Sequence, residues 1–251
     1  LSFSDIDAIA FYEDPNLKLN RILFSNGMGL GAPREVTRTL RQKLNPFFTI
    51  DPYLPNHIQK IYFTHHHSHA ASAFFASGYN DAAILTVDGV GEWETTTLSV
   101  GESSKLTQLE SIDFPDSLGL FYATITSFLG FQPNSDEYKV MGLASFGRPT
   151  LIQKMRPMLR THKNGRFKLD PLFYNFNHKM YSPALALLLN CSPRNRGEEL
   201  LPIHADIAAT AQFILEECLL SLTQRLYSLT GKTNLCLSGG VALNCVASAR
   251  I

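Results

Sequence analysis

At 251 residues, 45% of them apolar and 18% charged, the chain has the composition of an ordinary globular protein large enough for one big or two modest domains, which excludes a disordered or fibrous chain. Its 22 basic and 22 acidic residues cancel to a formal net charge of zero, so no global field favours nucleic acid or an anionic membrane as partner. No apolar run reaches the roughly 20 residues needed to span a bilayer, and the start lacks the pattern of a signal peptide, which makes the cytoplasm the default compartment.

In chain order, Asp7–Tyr12 reads as a strand ended by Asp14-Pro15, and residues 17–25 and 34–44 read as helices separated by Gly27, Gly29, Gly31 and Pro33. Those glycines are out of Gly-x-Gly-x-x-Gly register and follow no strand, which argues against a dinucleotide loop. Pro46, Pro52 and Pro55 mark an irregular connection. Ile61–Phe63 then ends a buried strand and leads into His65-His-His-Ser-His69 and an alanine-rich run to Phe75. The helix propensity of that run predicts a helix beginning at the histidines. Residues four apart share a helix face, so His65 and His69 can reach one ion while His66 and His67 point elsewhere.

Ala82–Val87, Glu94–Val100 and Leu106–Phe114 are three strand-like runs spaced as an antiparallel meander. Asp88, at the end of the first, completes a set of two histidines and one carboxylate, suited to zinc, iron, copper or nickel with positions open for substrate oxygens. Gly89 and Gly91, on either side of Val90, allow a tight turn that presents N–H groups to an anion. A lone His pair is more often a surface or capping feature, and Asp-Gly is a common turn. Four histidines in five residues strengthen the metal reading, and their internal position between apolar segments argues against an expression tag.

Ser117–Gly130 reads as a helix with Leu118, Phe121, Tyr122, Ile125 and Phe128 in the core. Pro133–Pro149 reads as a loop whose glycines and Lys139 can approach phosphate, and residues 150–203 as an insertion that can shape an acceptor pocket. Ala205–Leu229 is a strongly patterned helix stopped by Gly231, and Asn234–Leu237 a buried strand. Ser238–Asn244 turns from strand into helix, where Gly239-Gly240 lets the backbone lie against a nucleotide phosphate. Cys191, Cys218, Cys236 and Cys245 lack Cys-x-x-Cys spacing and read as free thiols of a reducing compartment. A first residue other than Met, and a helix-like pattern running to Ile251 without a stop, lead us to expect a piece of a longer protein.

Four motifs in order, His65-His-x-Ser-His-Ala-Ala-Ser-Ala-Phe-Phe75, Asp88-Gly-Val-Gly-Glu-Trp93, Glu137-Tyr-Lys-Val-Met-Gly-Leu-Ala144 and Leu237-Ser-Gly-Gly-Val-Ala-Leu-Asn-Cys245, resemble the O-carbamoyltransferases of the NodU/CmcH family. The resemblance implies an α/β fold of the actin, hexokinase and Hsp70 (ASKHA) type, built from two ribonuclease-H-like subdomains and incomplete at both ends. Residues 1–80, with the His helix, would be the remainder of the first, and residues 81–251 the second, with its insertion at about 150–203. It implies that a YrdC-like domain elsewhere in the full-length chain makes carbamoyl adenylate from carbamoyl phosphate and ATP. This domain would then pass the carbamoyl group to a hydroxyl of a small molecule or sugar. A homodimer is compatible with it; nucleic acid and membrane are not expected partners.

By position, the resemblance assigns His65, His69 and Asp88 to ferrous iron or another divalent metal, and Gly89, Val90, Gly91, Lys139, Gly239, Gly240 and Asn244 to the adenylate pocket. His66 or His67 is the candidate base for the acceptor hydroxyl. The chain departs from the family pattern at Asp136, where Gly is usual, and at Ser248, where Asn is usual. A further metal-ligating Asp is expected past Ile251 and a glycine-containing strand and hairpin before Leu1, so these 251 residues alone are not expected to complete the reaction. The alternatives are an ATP-binding actin-like switch, a sugar or acyl kinase or hydrogenase-maturation carbamoyltransferase of the same superfamily, or a plain metallohydrolase.

Overall fold

The computed structural model describes residues 3–28, 53–162 and 164–251. The helix expected at 34–44 lies outside the described residues. The elements in order are β1 Ala8–Phe11, α1 Pro15–Met28, β2 Gln59–Tyr62, α2 His65–Ala76, β3 Asp81–Val87, β4 Glu94–Glu102, β5 Lys105–Asp113, α3 Leu118–Phe128 and α4 Glu137–Ala144. There follow α5 Ile152–Met155, β6 Leu159–Thr161, β7 Phe167–Leu169, β8 Tyr174–Asn175, β9 Met180–Tyr181, α6 Pro183–Leu189, α7 Pro202–Thr230, β10 Leu235–Ser238 and α8 Cys245–Ser248. The fold is mixed α/β.

The central sheet has the order β10-β3-β4-β5. β3, β4 and β5 form the expected antiparallel meander, and β10 joins β3 in parallel with Leu235 beside Ala83 and Ser238 beside Thr86. β1 and β2 form a separate parallel pair. Side chains alternate across a strand, so β3 serves two cores. Ala82 and Ile84 pack with Ala70 and Phe74 of α2 and with Cys236. Ala83, Leu85 and Val87 face the larger core, formed with Phe121, Ile125 and Phe128 of α3 and Ile207, Ala211, Ile214, Cys218 and Leu222 of α7. The apolar face of α7 recurs at helical spacing along 29 residues, and Gly231, at φ 63°, caps it as expected.

Two expectations change. The stretch 133–149 is not a loop throughout, because Glu137–Ala144 forms α4 and buries Val140. Ser238–Asn244 does not open directly into an α-helix: Gly240–Leu243 is a 3-10 turn, and α8 starts only at Cys245, with the Asn244 side chain accepting from Ala247 N–H. Residues 150–203 hold two short hairpins, β6–β7 and β8–β9, between α5 and α6. All four cysteines are free, and Cys218 is buried, which pushes its thiol up to about 12.

Candidate metal centre and adjoining cavity

The centre lies where β3 ends and α2 begins. Helix spacing brings His65 and His69 onto one face, and the first residue after β3, Asp88, meets both: its Oδ2 is 2.7 Å from His65 Nε2 and 3.1 Å from His69 Nε2. The two Nε2 atoms are 3.0 Å apart. Among the described residues, these three are the one group whose donor atoms, all within 4.8 Å of one another, could hold a metal ion. Two imidazole nitrogens and a carboxylate oxygen converging on one point suit a divalent transition metal, so the residues present fit the expected ion.

Electrostatics favours the ionised carboxylate. Burial alone would raise the Asp88 pKa, but the two histidines and the Gly89 N–H together hold it well below the usual carboxylate range. For His65, burial works against charge, yet the hydrogen bond and charge of Asp88 outweigh it and raise the pKa. The Asp88 carboxylate is also fixed from behind: Oδ1 accepts from Gly89 N–H at 2.7 Å and from Gly240 N–H at 3.2 Å. Ser238 Oγ stands 3.4 Å from His69 Nδ1.

The glycines thus serve close approach. A Cβ on Gly239, which has φ 98°, would lie 2.3 Å from Val87 O, and one on Gly240 would lie 2.7 Å from Asp88 Oδ1. A Cβ on Gly91 would press on His65 Cβ at 3.0 Å. In the chain by itself, the N–H groups of Gly89 and Gly240 are turned to Asp88.

A cavity of about 370 Å³ opens beside the centre. Its lining mixes polar groups, from Asp88, Asn134, Ser135, Glu137 and Asn244, with Gly89, Gly119 and Gly240 and with Tyr122, Tyr138, Met141, Leu215, Val241 and Leu243. Of the residues expected to touch adenylate, Gly89, Gly240 and Asn244 are at this cavity; Val90, Gly91, Lys139 and Gly239 are not among those lining it. Lys139 instead pairs with Asp136 at 2.8 Å. The expected catalytic histidines are also elsewhere. His66 is buried with Nδ1 2.6 Å from Thr86 Oγ1, and burial above all lowers its pKa to about 4, so it stays neutral. His67 is exposed and stacks on Phe63. A role for either as base to an acceptor in this cavity has no geometric support.

Sequence reasoning missed Gln212. Its Oε1 accepts from Tyr122 OH at 2.9 Å and from Asn244 Nδ2 at 2.8 Å, while its Nε2 donates to Asn244 Oδ1 at 3.1 Å and Glu216 Oε1 at 2.9 Å. It ties two walls of the cavity through one buried amide. A polar residue on the apolar face of α7 was the only signal in the sequence.

Fold and site together define an α/β protein with a candidate two-histidine, one-carboxylate centre at the carboxyl end of a strand. The chain belongs to the family described as carbamoyltransferase N-terminus, whose model matches residues 54–251. It is 37% identical over 270 residues to the uncharacterised Synechocystis protein sll1178, covering 100% of this chain and 43% of that one. With the nodulation protein NolNO of Sinorhizobium fredii it shares 32% identity over 259 residues, covering 100% of this chain and 35% of NolNO. The chain thus spans less than half the length of these curated relatives. The crystal structure of T. kodakarensis HypF aligns over 86% of this chain and 34% of its own, at 16% identity and a TM-score of 0.37.

Proposed function

We propose that this chain is the transfer domain of an O-carbamoyltransferase, with carbamoyl adenylate as donor and a hydroxyl of a small molecule or sugar as acceptor. The observation that carries the reading is the convergence of His65, His69 and Asp88, with Asp88 also lining a cavity that has polar and apolar walls. Membership of the carbamoyltransferase N-terminus family supports the reaction class. His65, His69 and Asp88 would hold ferrous iron or another divalent metal. When bound, that ion supplies Lewis-acid polarisation of phosphate or carbamoyl oxygens.

The chain's own residues do the rest. Asp88 is kept ionised and oriented by Gly89 and Gly240 N–H. Tyr138, Met141 and Leu243, which line the cavity, would offer apolar surface to an adenine ring, and Gly89, Gly240 and Asn244, which also line it, would lie beside ribose and phosphate. In the transfer, the acceptor hydroxyl oxygen bonds to the carbamoyl carbon, the bond from that carbon to the phosphate oxygen breaks, AMP leaves, and the hydroxyl proton passes to a base. The same reading includes an ASKHA-type pair of subdomains divided near residue 80. It also includes a YrdC-like domain elsewhere in the longer protein, which makes the adenylate from ATP and carbamoyl phosphate.

The test uses the full-length protein with ATP and ferrous iron, with and without carbamoyl phosphate. AMP and pyrophosphate formed only with carbamoyl phosphate are the expected products. ADP, or turnover indifferent to carbamoyl phosphate, would replace this reading with a kinase or an actin-like nucleotide switch.

A further inference from the structure

We propose that Glu92 is a positioning residue that clasps the two halves of the candidate metal centre together; its consequence for metal binding rests on the metal reading above. Asp88 lies on the loop after β3, whereas His65 and His69 lie on the first turns of α2. The ligand set is therefore assembled from two segments, and something must hold them in register.

α2 begins without a cap of its own, since the Thr64 side chain accepts no helix N–H. Glu92, four residues past Asp88, takes that place from the neighbouring loop. Its two carboxylate oxygens accept from His65 N–H at 3.1 and 3.0 Å. Oε1 also accepts from Asp14 N–H at 2.7 Å. Asp14 immediately precedes α1, and its own Oδ1 accepts from Asn16 and Leu17 N–H. The positive ends of two helices thus converge on one carboxylate that is only 1% exposed. A charge so far from water needs such donors, and the buried Arg21 guanidinium adds a favourable charge interaction.

Gly91 makes the clasp close. With its Cβ position 3.0 Å from His65 Cβ and 3.1 Å from His66 Cδ2, the loop lies flat on the first turn of α2, and Glu92 follows directly. Neither the Asp88 loop nor the His helix can shift alone without breaking bonds to Glu92. A residue that orients ligands without touching the metal typically changes its affinity by about 10–100-fold.

The test is calorimetric titration of the protein with Zn²⁺ alone, comparing wild type, Glu92→Ala and Glu92→Gln, alongside hydrogen exchange at the His65 amide in metal-free protein. Glu92→Ala is expected to weaken Zn²⁺ binding about 10–100-fold and to speed His65 exchange while the β3–β5 amides stay protected. Glu92→Gln, which keeps Oε1 as acceptor, is expected to restore most of both. Wild-type affinity together with wild-type His65 protection in Glu92→Ala would overturn the proposal. Should Glu92→Ala fail to fold, Glu92→Gln decides: retained His65 protection and affinity within a few-fold of wild type are expected, and a loss of about 10–100-fold despite the retained acceptor would overturn the proposal. Should wild type take up no metal, the metal reading fails, and His65 exchange alone decides the role of Glu92.

Discussion

Asp88 carries more of the site than any other side chain, because each carboxylate oxygen has a separate task. Oδ2 meets the two imidazoles, and Oδ1 ties down both glycine turns. Asp88→Asn keeps the shape but loses the charge and turns an N–H₂ donor towards one set of partners. We expect metal affinity to fall at least about 100-fold with the fold intact, checked by metal titration and circular dichroism. Gly240→Ala tests the opposite side of the same carboxylate. Its added methyl would stand 2.7 Å from Asp88 Oδ1, so Asp88 must move, and metal binding is expected to weaken about 10-fold or more with a small change in melting temperature. At Gly239 the methyl would instead meet Val87 backbone at 2.3 Å with φ 98°, and the expected loss is stability, on the order of 1–3 kcal/mol in urea unfolding.

Among the elements, α7 links core to cavity. Most of its buried face is apolar, but Gln212 and Glu216 are buried too and form a network with Tyr122, Asn244 and Arg250. Low dielectric makes a satisfied network rigid and a broken one costly. Gln212→Leu fills similar space and leaves Asn244 Nδ2, the Tyr122 hydroxyl and Glu216 Oε1 without their Gln212 partner, while Asn244 Oδ1 keeps the Ala247 N–H. It is expected to cost about 2–3 kcal/mol by chemical denaturation and to weaken adenine-nucleotide binding, since Tyr122 and Asn244 both line the cavity. α2 acts in the same double way, with His65 and His69 facing Asp88 while Ala70 and Phe74 press on the sheet. Gly101 of β4 leaves room for the Phe74 ring, which a Cβ there would approach to 2.7 Å. Phe74→Ala should therefore cost about 3–5 kcal/mol and loosen α2 from the sheet.

For the whole molecule, two cores on opposite faces of one sheet meet at the end of β3, and the candidate centre sits at that junction. Metal that binds only the folded chain must then stabilise it. At 100 times the dissociation constant the gain is about 2.7 kcal/mol, which differential scanning calorimetry with and without a chelator would read as a shift in melting temperature. Among the described residues no helix is long and apolar enough to cross a membrane.

Local pattern determined much of this. Alternation and turn residues mark the β3–β5 meander, helical spacing marks α3 and α7, and a separation of four residues puts His65 and His69 on one face. Each of these depends only on neighbours in the chain, so periodicity is enough to read it. What tertiary structure decided are the long-range partners. Residues 137–144 became a helix by burying Val140, the Gly239-Gly240 pair went to Val87 and Asp88, and Lys139 went to Asp136 at the surface. Gln212 and Glu92 each join segments dozens of residues apart, and a hydrogen bond across such a gap leaves no period in the sequence. The candidate ligands could be named from spacing; the residues that hold them in place depend on which segments the fold brings side by side.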